Sequence, residues 1–290
     1  MPDFQPYTKR QTMIERDFEV YRYRSTYMNE VALHHHDFYE IYLLLRGRVA
    51  YTVENHIYNM RPGDVMLVSP LELHQARITD TEPYERIVLW VARPFLEQLS
   101  SARTSLTRCF DTSVPGHTNL LRLPGPTGAE MRRKLEHLGA LHTRSDYGSD
   151  LLANSCLIQL LVELNQAAAD HSNQQAQTPD CSSDRVVDAV LEYINAHYSE
   201  PLTLDDLAER FFISKYHLLR KFDAQVGTTV HRYILQKRLL IAKQLLAGGV
   251  APSECCQYCG FGDYANFYRA FRAEYSTTPR QYVQSLRGKD

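Results

Sequence analysis

The last third of this 290-residue chain contains one helical pattern twice, and the two copies are 49 residues apart. Each copy has a polar residue, an apolar residue four positions later, and then an arginine and a phenylalanine at alternate positions. The first copy consists of Ser214, Leu218, Arg220 and Phe222, and the second consists of Asp263, Phe267, Arg269 and Phe271. A constant offset at four positions indicates an internal repeat. It predicts that one structural unit occurs twice.

Both copies carry the signals of a helix, a short turn and a second helix. The side-chain oxygens of Ser214 and Asp263 can accept hydrogen bonds from the free amides of a first helical turn. Upstream of the first copy, apolar residues recur at helical spacing behind Thr203, which has the capping-box partner Asp206. Upstream of the second copy an equivalent run begins at Pro252, and Gly260 marks the turn.

Three of the six cysteines lie in the first helix of the second unit, at Cys255, Cys256 and Cys259. Their spacing is that of the inward face of a helix, where small buried hydrophobic residues are required. A zinc or redox site is the alternative for such a cluster. The other cysteines are scattered along the chain, so we expect no disulfide framework.

The second helix of each unit has two distinct faces, because about 3.6 residues make one turn. In the first unit Leu218 and Phe222 are expected to face inward, and Tyr216 and Arg220 lie almost opposite. The corresponding outward residues of the second unit are Ala265 and Arg269. Such a helix suits the DNA major groove, where an arginine can donate two hydrogen bonds to guanine. A solvated face is the alternative for one copy, but two copies in register favour DNA.

The segment between the units predicts one amphipathic helix from Thr229 to Leu246, which Gly248 and Gly249 end. At about 1.5 Å per residue this helix spans roughly 27 Å, comparable with the ~34 Å between successive major grooves on one face of DNA. It can therefore hold two DNA-reading helices one turn of DNA apart.

With these features, residues 184–290 resemble the DNA-binding domain of the AraC/XylS transcription regulators, in which a long helix joins two helix-turn-helix units. The residues that match the family signature are Gly260, Phe261, Phe267, Arg269, Phe271, Thr278 and Pro279. The resemblance implies DNA contacts at Lys215, Tyr216, Leu219, Arg220, Tyr264, Ala265, Tyr268 and Arg269. It also implies double-stranded promoter DNA and RNA polymerase as partners. The family usually has isoleucine at Pro252 and an Ile-Ala pair at Cys255 and Cys256, but Pro252 fits a first helical turn, so the fold is expected to be preserved.

The N-terminal part predicts short strands with turns from Val31 to Val91. Glu54-Asn55 supplies one hairpin turn, and the run from Arg61 to Asp64 supplies another. Several short strands at this spacing are typical of a barrel or sandwich. The predicted fold class is therefore α+β, with a β-barrel followed by helices and then an all-α domain of two helix-turn-helix units.

Three histidines and a glutamate in this region form a second motif. His34, His36 and Glu40 share one face of a strand by parity, and His74 can join them from a neighbouring strand. Together with Gly47 and the run from Pro62 to Asp64, the motif is similar to the cupin barrel, in particular to the sugar-binding cupin of many AraC-type regulators. In metal-binding cupins the positions of His34, His36, Glu40 and His74 hold a divalent metal, and such ligands suit Fe, Mn, Ni or Zn.

The alternative to a metal is a small polar effector bound by the same side chains, and we favour it and expect no cofactor. Tyr39, Tyr42 and Trp90 offer apolar faces, which together with the imidazoles suit a sugar or related organic acid. The predicted effector site consists of His34, His36, Glu40, His74, Tyr42 and Trp90.

Helices are predicted after the strands. One covers residues 93–99, and two longer amphipathic helices cover 129–142 and 151–164. The longer pair can pack on the barrel or on a second copy, and in the resembling family this region often mediates dimerisation, so a homodimer is expected. Residues 166–183 lack an apolar period and predict a flexible linker. The predicted domains are 1–100 (effector barrel), 101–165 (helical region), 166–183 (linker) and 184–290 (DNA-binding domain).

Composition excludes several classes of protein. A net charge of -2 is against indiscriminate coating of nucleic acid, and from Ser182 onwards 14 Lys and Arg face 12 Asp and Glu. DNA affinity then depends on where the cations are placed. The longest apolar run, from Ile41 to Leu45, is too short to span a bilayer, and no signal-like segment opens the chain. We therefore expect no membrane partner and a cytoplasmic protein.

These predictions combine into a ligand-responsive DNA-binding regulator, an activator of carbohydrate or small-metabolite genes that is not an enzyme. One alternative is a metal-dependent cupin enzyme, for which the four metal-type side chains must converge on one point. The other is a constitutive DNA-binding protein whose barrel is only a scaffold. A sensor would be stabilised by its effector, and a scaffold would not.

Overall fold

The computed structural model describes residues 12–25, 33–54, 56–70, 72–79, 83–123, 125–173 and 184–287. The chain divides into two compact units, Met1–Ser182 and Ser183–Asp290. The strands lie in the first unit, and the described residues of the second unit form helices and short connections.

The first unit contains eight described strands and three described α-helices. The strands are β1 (Phe18–Ser25), β2 (Phe38–Arg46), β3 (Val49–Val53), β4 (His56–Met60), β5 (Asp64–Val68), β6 (His74–Ile78), β7 (Tyr84–Ala92) and β8 (Leu120–Arg122). The helices are α1 (Arg93–Leu99), α2 (Gly125–His142) and α3 (Ser149–Asn173), with a short 3-10 helix at Arg108–Phe110.

Antiparallel pairing arranges the strands in two sheets, with the orders β1-β7-β2-β5-β8 and β4-β3-β6. The predicted turn at Arg61 to Asp64 is confirmed, because the Asp64 amide donates to the Arg61 carbonyl at 3.0 Å. The predicted α+β class is also confirmed. Among the described strands the two sheets face each other without closing into one continuous barrel.

Side chains of the larger sheet alternate between two cores. From β2, Phe38 and Tyr42 face the smaller sheet, where they meet Tyr51 of β3. The intervening Ile41 and Tyr39 face the helical layer of α2 and α3. This alternation follows from strand geometry, in which successive side chains point to opposite faces. It corrects one prediction, because Tyr39 packs on Phe110 and not in the inter-sheet space.

The helical layer is a pair of helices packed on the outer face of the larger sheet. Leu135 and Leu138 of α2 and Leu157 and Leu160 of α3 are fully buried there. The predicted helix at 93–99 is confirmed as α1. The prediction of a linker from residue 166 is wrong at its start, because α3 continues to Asn173. Residues 174–183 of that predicted linker lie outside the described residues.

The second unit is built from seven helices among its described residues. They are α4 (Arg185–His197), α5 (Leu204–Arg210), α6 (Lys215–Val226), α7 (Val230–Ala247), α8 (Pro252–Tyr258), α9 (Tyr264–Tyr275) and α10 (Pro279–Arg287). The helix pairs α5–α6 and α8–α9 are the two repeated units, and α7 joins them.

Local hydrogen bonds begin these helices as predicted. Thr203 and Asp206 form the reciprocal capping box of α5. Ser214 caps α6 by accepting from the His217 amide at 3.3 Å, and Asp263 caps α9 by accepting from the Asn266 amide at 2.7 Å. Such caps satisfy amides that have no partner within their own helix. The helix starts are therefore encoded by neighbouring residues.

The turns of the two repeated units share one conformation but differ in length. Phe212 in the first turn has a φ of +51°, and Gly260 in the second has a φ of +72°. The next amide, of Ile213 or Phe261, returns to a carbonyl five residues earlier in each case. Phe212 precedes its cap by two residues and Gly260 by three. The second turn is thus one residue longer, and the 49-residue offset applies to the second helices only.

The linking helix α7 contributes to both cores. Its Tyr233 packs edge-to-face on Phe222 of α6, with ring centroids 5.8 Å apart. Leu239 and Leu246 instead pack with Phe267 of α9 and with the three cysteines. All three cysteines are buried there, and burial raises the pKa of Cys255 to about 11 and that of Cys259 to about 12. These side chains therefore serve as packing groups of the inward face.

A close backbone contact joins the second turn to the segment after α4. A Cβ added to Gly260 would lie 2.4 Å from the Ser199 carbonyl oxygen. The same segment is also held by Arg238 of α7, which donates at 2.8 Å to the carbonyls of both Tyr198 and Glu200. These contacts fix the turn between α8 and α9, and helix α7, against the segment that joins α4 to α5.

Candidate nucleic-acid interface and effector site

Helix α6 presents the first predicted DNA-reading surface. Leu218 and Phe222 are fully buried, whereas Tyr216 on the opposite face is 87% exposed. Leu219 and Arg220 are also exposed, and a guanidinium nitrogen of Arg220 lies 3.5 Å from Nδ1 of His217.

The remaining predicted contact on α6 is at the start of the helix. Lys215 is exposed and forms an ion pair with Asp205 of α5. An exposed pair of this kind is worth little, so the lysine can exchange its carboxylate for a phosphate.

Helix α9 presents the second surface in the same way. Phe267 and Phe271 are fully buried, and Tyr264, Ala265 and Arg269 are exposed. The Arg269 side chain lies along the helix, with Nε donating to the Ala265 carbonyl at 3.3 Å and Nη2 to the Asn266 side-chain oxygen at 2.5 Å. Tyr268 differs from the other predicted positions, because it is half-buried.

One groove separates α6 and α9, with a volume of about 730 Å³. Leu219 of α6 lines one side, Asn266 and Ala270 of α9 line the other, and residues of α7 such as Ile234 lie between them. Both helices therefore border the same groove on the surface of the second unit. A single partner that spans the groove can touch both.

The first unit contains a buried group of three predicted residues. His36 before β2, Glu40 in β2 and His74 in β6 each offer one ligand atom, and these atoms lie within 4.8 Å of one another. All three side chains are buried, and His36 Nε2 is 3.5 Å from the Glu40 carboxylate. His36 and Glu40 are four residues apart and lie on one face of the chain at β2, and β6 brings His74 beside them.

Backbone carbonyls orient both imidazoles of this group. Nδ1 of His36 donates to the Phe38 carbonyl at 2.9 Å, and Nδ1 of His74 donates to the Glu72 carbonyl at 2.8 Å. A carbonyl can only accept, so Nδ1 of each ring carries a proton, and in a neutral ring Nε2 then carries the lone pair. Both Nε2 atoms are buried without a hydrogen-bond partner. Both lie close to the buried Glu40 carboxylate.

The Glu40 carboxylate is held by two donors. The Tyr51 hydroxyl donates to one oxygen at 2.9 Å, and the Trp90 indole donates to the other at 2.7 Å. Burial acts to raise the pKa of Glu40, but the contact with His36 and the charge of protonated imidazoles hold that pKa well below its ordinary value. Burial and the neighbouring histidines lower the pKa of His74 well below its ordinary value. At neutral pH the group is an ionised carboxylate with a neutral His74.

The other predicted effector residues lie around this group. His34 is half-buried and forms an isolated β-bridge with His74, their ring centroids being 4.1 Å apart, but it is outside the three-residue group. Tyr42 pairs with the Tyr84 hydroxyl and packs edge-to-face on Tyr51. Sequence reasoning missed Tyr51, although its alternation with Val49 and Val53 in β3 placed it on the inward face.

No described helix is both long enough and apolar enough to cross a membrane.

Comparison with known proteins identifies both units. Residues 17–161 match the family described as "AraC-like ligand binding domain", and residues 207–285 match "Helix-turn-helix domain". The HTH-type transcriptional activator RhaS of Yersinia pestis (strain Pestoides F) is 31% identical over 258 residues, which cover 87% of this chain and 89% of the relative. RhaS of Yersinia pseudotuberculosis serotype O:1b (strain IP 31758) gives the same values.

Two solved structures are also similar. ToxT from Vibrio cholerae O395 is 12% identical with a TM-score of 0.38, and the alignment covers 94% of this chain and 100% of ToxT. The DNA-binding domain of AdpA in complex with a target DNA is 22% identical with a TM-score of 0.35, covering 37% of this chain and 96% of that domain.

The helix-turn-helix match and the RhaS relatives decide against the enzyme alternative, because the relatives are transcriptional activators that this chain resembles over most of its length. The chain belongs to the AraC family of ligand-binding helix-turn-helix transcription regulators.

Proposed function

We propose that this chain activates transcription of carbohydrate or small-metabolite genes when a small polyhydroxylated effector binds between the two sheets of the first unit. The observation that supports an effector site is that three polar groups, namely His36 Nε2, His74 Nε2 and the Glu40 carboxylate, lie close together in the buried interior of the first unit. The RhaS relatives are transcriptional activators, which supports activation as the direction of regulation.

A hydroxyl-rich ligand suits this space because it supplies the donors that are missing. When the imidazoles are neutral, their lone pairs and an ionised carboxylate repel one another unless a donor or a cation lies between them. Trp90 and Phe38 are in ring contact beside them, with centroids 4.7 Å apart, and such faces pack against the apolar side of a sugar ring. The chemistry favours a sugar or related organic acid with several hydroxyl groups.

The effector proposal is tested by thermal shift with a panel of sugars, polyols and hydroxy acids. A ligand of the native state raises the melting temperature of the first unit, and its effect must disappear in Glu40→Gln. The matched control is Glu97→Gln, which changes an exposed carboxylate of α1. A regulator also requires that the same ligand changes affinity for DNA. If no compound stabilises the wild-type chain, the scaffold alternative is favoured.

For DNA, we propose that Arg220 and Arg269 read bases from neighbouring major grooves. Arg220→Ala and Arg269→Ala should each weaken binding by about 1 to 3 kcal/mol and relax base preference at the contacted position. The probe is a duplex that the wild-type chain selects from a random-sequence pool. Arg185→Ala removes an exposed arginine of α4 and serves as the control. Full affinity and selectivity in both variants would refute the assignment of these helices.

A second candidate ligand for the first unit is a divalent transition metal. Two imidazoles and one carboxylate suit Fe, Mn, Ni or Zn, and carbonyls already hold both Nδ1 atoms as metal-binding histidines require. His36, Glu40 and His74 would bind it, and it would organise the effector's hydroxyl groups. Elemental analysis of purified chain and calorimetry with Zn²⁺ test this candidate. Less than ~0.1 metal per chain and no heat would exclude it.

A homodimer is proposed through the start of α3. Leu151 and Leu152 are exposed there, with 69% and 54% of their surface accessible. Exposed leucines next to each other favour a protein partner. Sedimentation of the wild type and of Leu151→Glu tests this, and a wild-type monomer at working concentration would refute it. Contact with RNA polymerase is part of the same proposal, because an activator acts on that enzyme.

A further inference from the structure

The turn of the first helix-turn-helix unit holds a large aromatic residue in an unfavourable position. Phe212 has a φ of +51°, in the left-handed region, and 98% of its side chain is exposed. Left-handed backbone is unfavourable for residues with a Cβ, and an exposed ring gains nothing from a core. The folding of the second unit therefore does not explain a phenylalanine here.

The second helix-turn-helix, α8–α9, shows how the same backbone conformation is formed without this penalty. Gly260 occupies the corresponding place with a φ of +72°. In both turns the following amide bonds to a carbonyl five residues earlier, that of Ala208 or Cys256, at 3.0 and 3.1 Å. Glycine adopts this conformation without strain. A strained residue that survives where a glycine would fit points to a function outside folding.

The location of Phe212 indicates which function. Phe212 lies two residues before Ser214, which caps the N-terminus of α6. In helix-turn-helix proteins the N-terminal residues of this second helix contact the bases in the major groove. The exposed large apolar residues described in the second unit are Phe212, Tyr216, Leu219, Tyr258 and Tyr264. All but Tyr258 lie on or directly before a reading helix. The exposed large apolar residues of this unit are thus concentrated at the two proposed DNA-reading helices.

We propose that Phe212 is a DNA contact, whose ring packs at the edge of the major groove entered by α6, on thymine methyl groups or the adjoining deoxyribose. This inference rests on the proposed role of α6 as a reading helix. Apolar side chains read thymine through its C5-methyl group, so the contact would add preference for a thymine at one position. It would act beside Arg220, which supplies hydrogen bonds.

The experiment compares three variants of the full chain that separate the ring from the backbone strain. Phe212→Gly removes both, Phe212→Ala removes the ring and keeps the strain, and Phe212→Tyr keeps both. Binding is measured by fluorescence anisotropy at fixed salt, with the duplex that the wild-type chain selects from a random pool. Phe212→Gly and Phe212→Ala should bind ~5- to 10-fold more weakly, and Phe212→Tyr should stay within about twofold.

Thermal unfolding provides the readout that separates contact from misfolding. Phe212→Gly should melt no lower than Phe212→Ala, because glycine relieves the left-handed strain. A loss of affinity in a chain that is as stable as the wild type then comes from the missing ring. Tyr258→Ala is the matched control, since it removes an aromatic ring that is 59% exposed away from the reading helices, and it should keep full affinity.

Three outcomes would overturn the inference. If Phe212→Gly keeps full affinity while Arg220→Ala loses it, Phe212 is not a contact but α6 remains a reading helix. If both variants keep full affinity, the assignment of α6 fails as well. If Phe212→Gly binds DNA normally but no longer activates transcription, the ring contacts a protein partner and not DNA.

Discussion

Gly260→Ala should destabilise the second unit far more than an ordinary glycine substitution. The new Cβ would lie 2.4, 2.7 and 2.8 Å from the carbonyl oxygen, carbonyl carbon and Cα of Ser199. These are backbone atoms, so no side chain can rotate away. Left-handed backbone with a Cβ costs about 1 to 2 kcal/mol, and overpacking typically costs about 1 to 3 kcal/mol more. We expect a total of roughly 2 to 5 kcal/mol.

Gly249→Ala is the matched control within the same unit. Gly249 also has a positive φ, +89°, but a Cβ there would have no atom within 4 Å. This substitution should cost only the left-handed term of about 1 to 2 kcal/mol, partly offset by the lower entropy of the unfolded chain. The difference between the two variants, roughly 1 to 3 kcal/mol, isolates the contact with Ser199.

Urea unfolding of the full chain can assign the loss to the correct unit. Circular dichroism at the helical band reports both units, whereas fluorescence of the single tryptophan, Trp90, reports the first unit. Gly260→Ala should shift the helical transition and leave the fluorescence transition unchanged. If Gly260→Ala and Gly249→Ala lose equal stability within ~0.5 kcal/mol, the close approach to Ser199 is not a real constraint.

Three further predictions follow from buried or capping groups of the second unit. Gln236 is 1% exposed, and both polar atoms of its side chain lack a hydrogen-bond partner. Gln236→Met should therefore raise the free energy of unfolding in urea by about 1 to 2 kcal/mol, and a loss of stability would contradict this. Burial raises the pKa of Cys255 to about 11 and of Cys259 to about 12, so iodoacetamide at pH 8 should alkylate both only in urea, as mass spectrometry can check. Thr203→Ala should cost ~1 kcal/mol by breaking the capping box, whereas Thr203→Ser should cost much less.

The helices of the second unit could be predicted closely because their signals are local. Ser214, Asp263 and Thr203 each bond to an amide within three residues of themselves. The buried stripes also follow from helical period alone. The extra residue in the second turn was not predicted, because it changes neither the caps nor the stripes.

The effector site was predicted less completely because it depends on contacts between strands. Parity placed His36 and Glu40 together but also included His34, which instead bridges to His74. Tyr51 could not be assigned to Glu40 before the pairing of β3 with β6 was known. The end of α3 was missed for another reason. Ala167 and Ala168 pack on the core, and alanine is the strongest helix former, so a composition typical of a linker continues a helix.

The two turns show how one backbone conformation can meet different requirements on its side chain. At Gly260 the neighbouring Ser199 backbone leaves no space for a Cβ, so packing within the unit requires glycine. At Phe212 the side chain extends into solvent, so the left-handed backbone conformation is the cost of having a larger residue there. That penalty is small enough for a binding contribution to offset it. The repeat therefore keeps glycine where its second turn packs on the segment between α4 and α5, and it can place an aromatic ring where the first turn faces the proposed DNA partner.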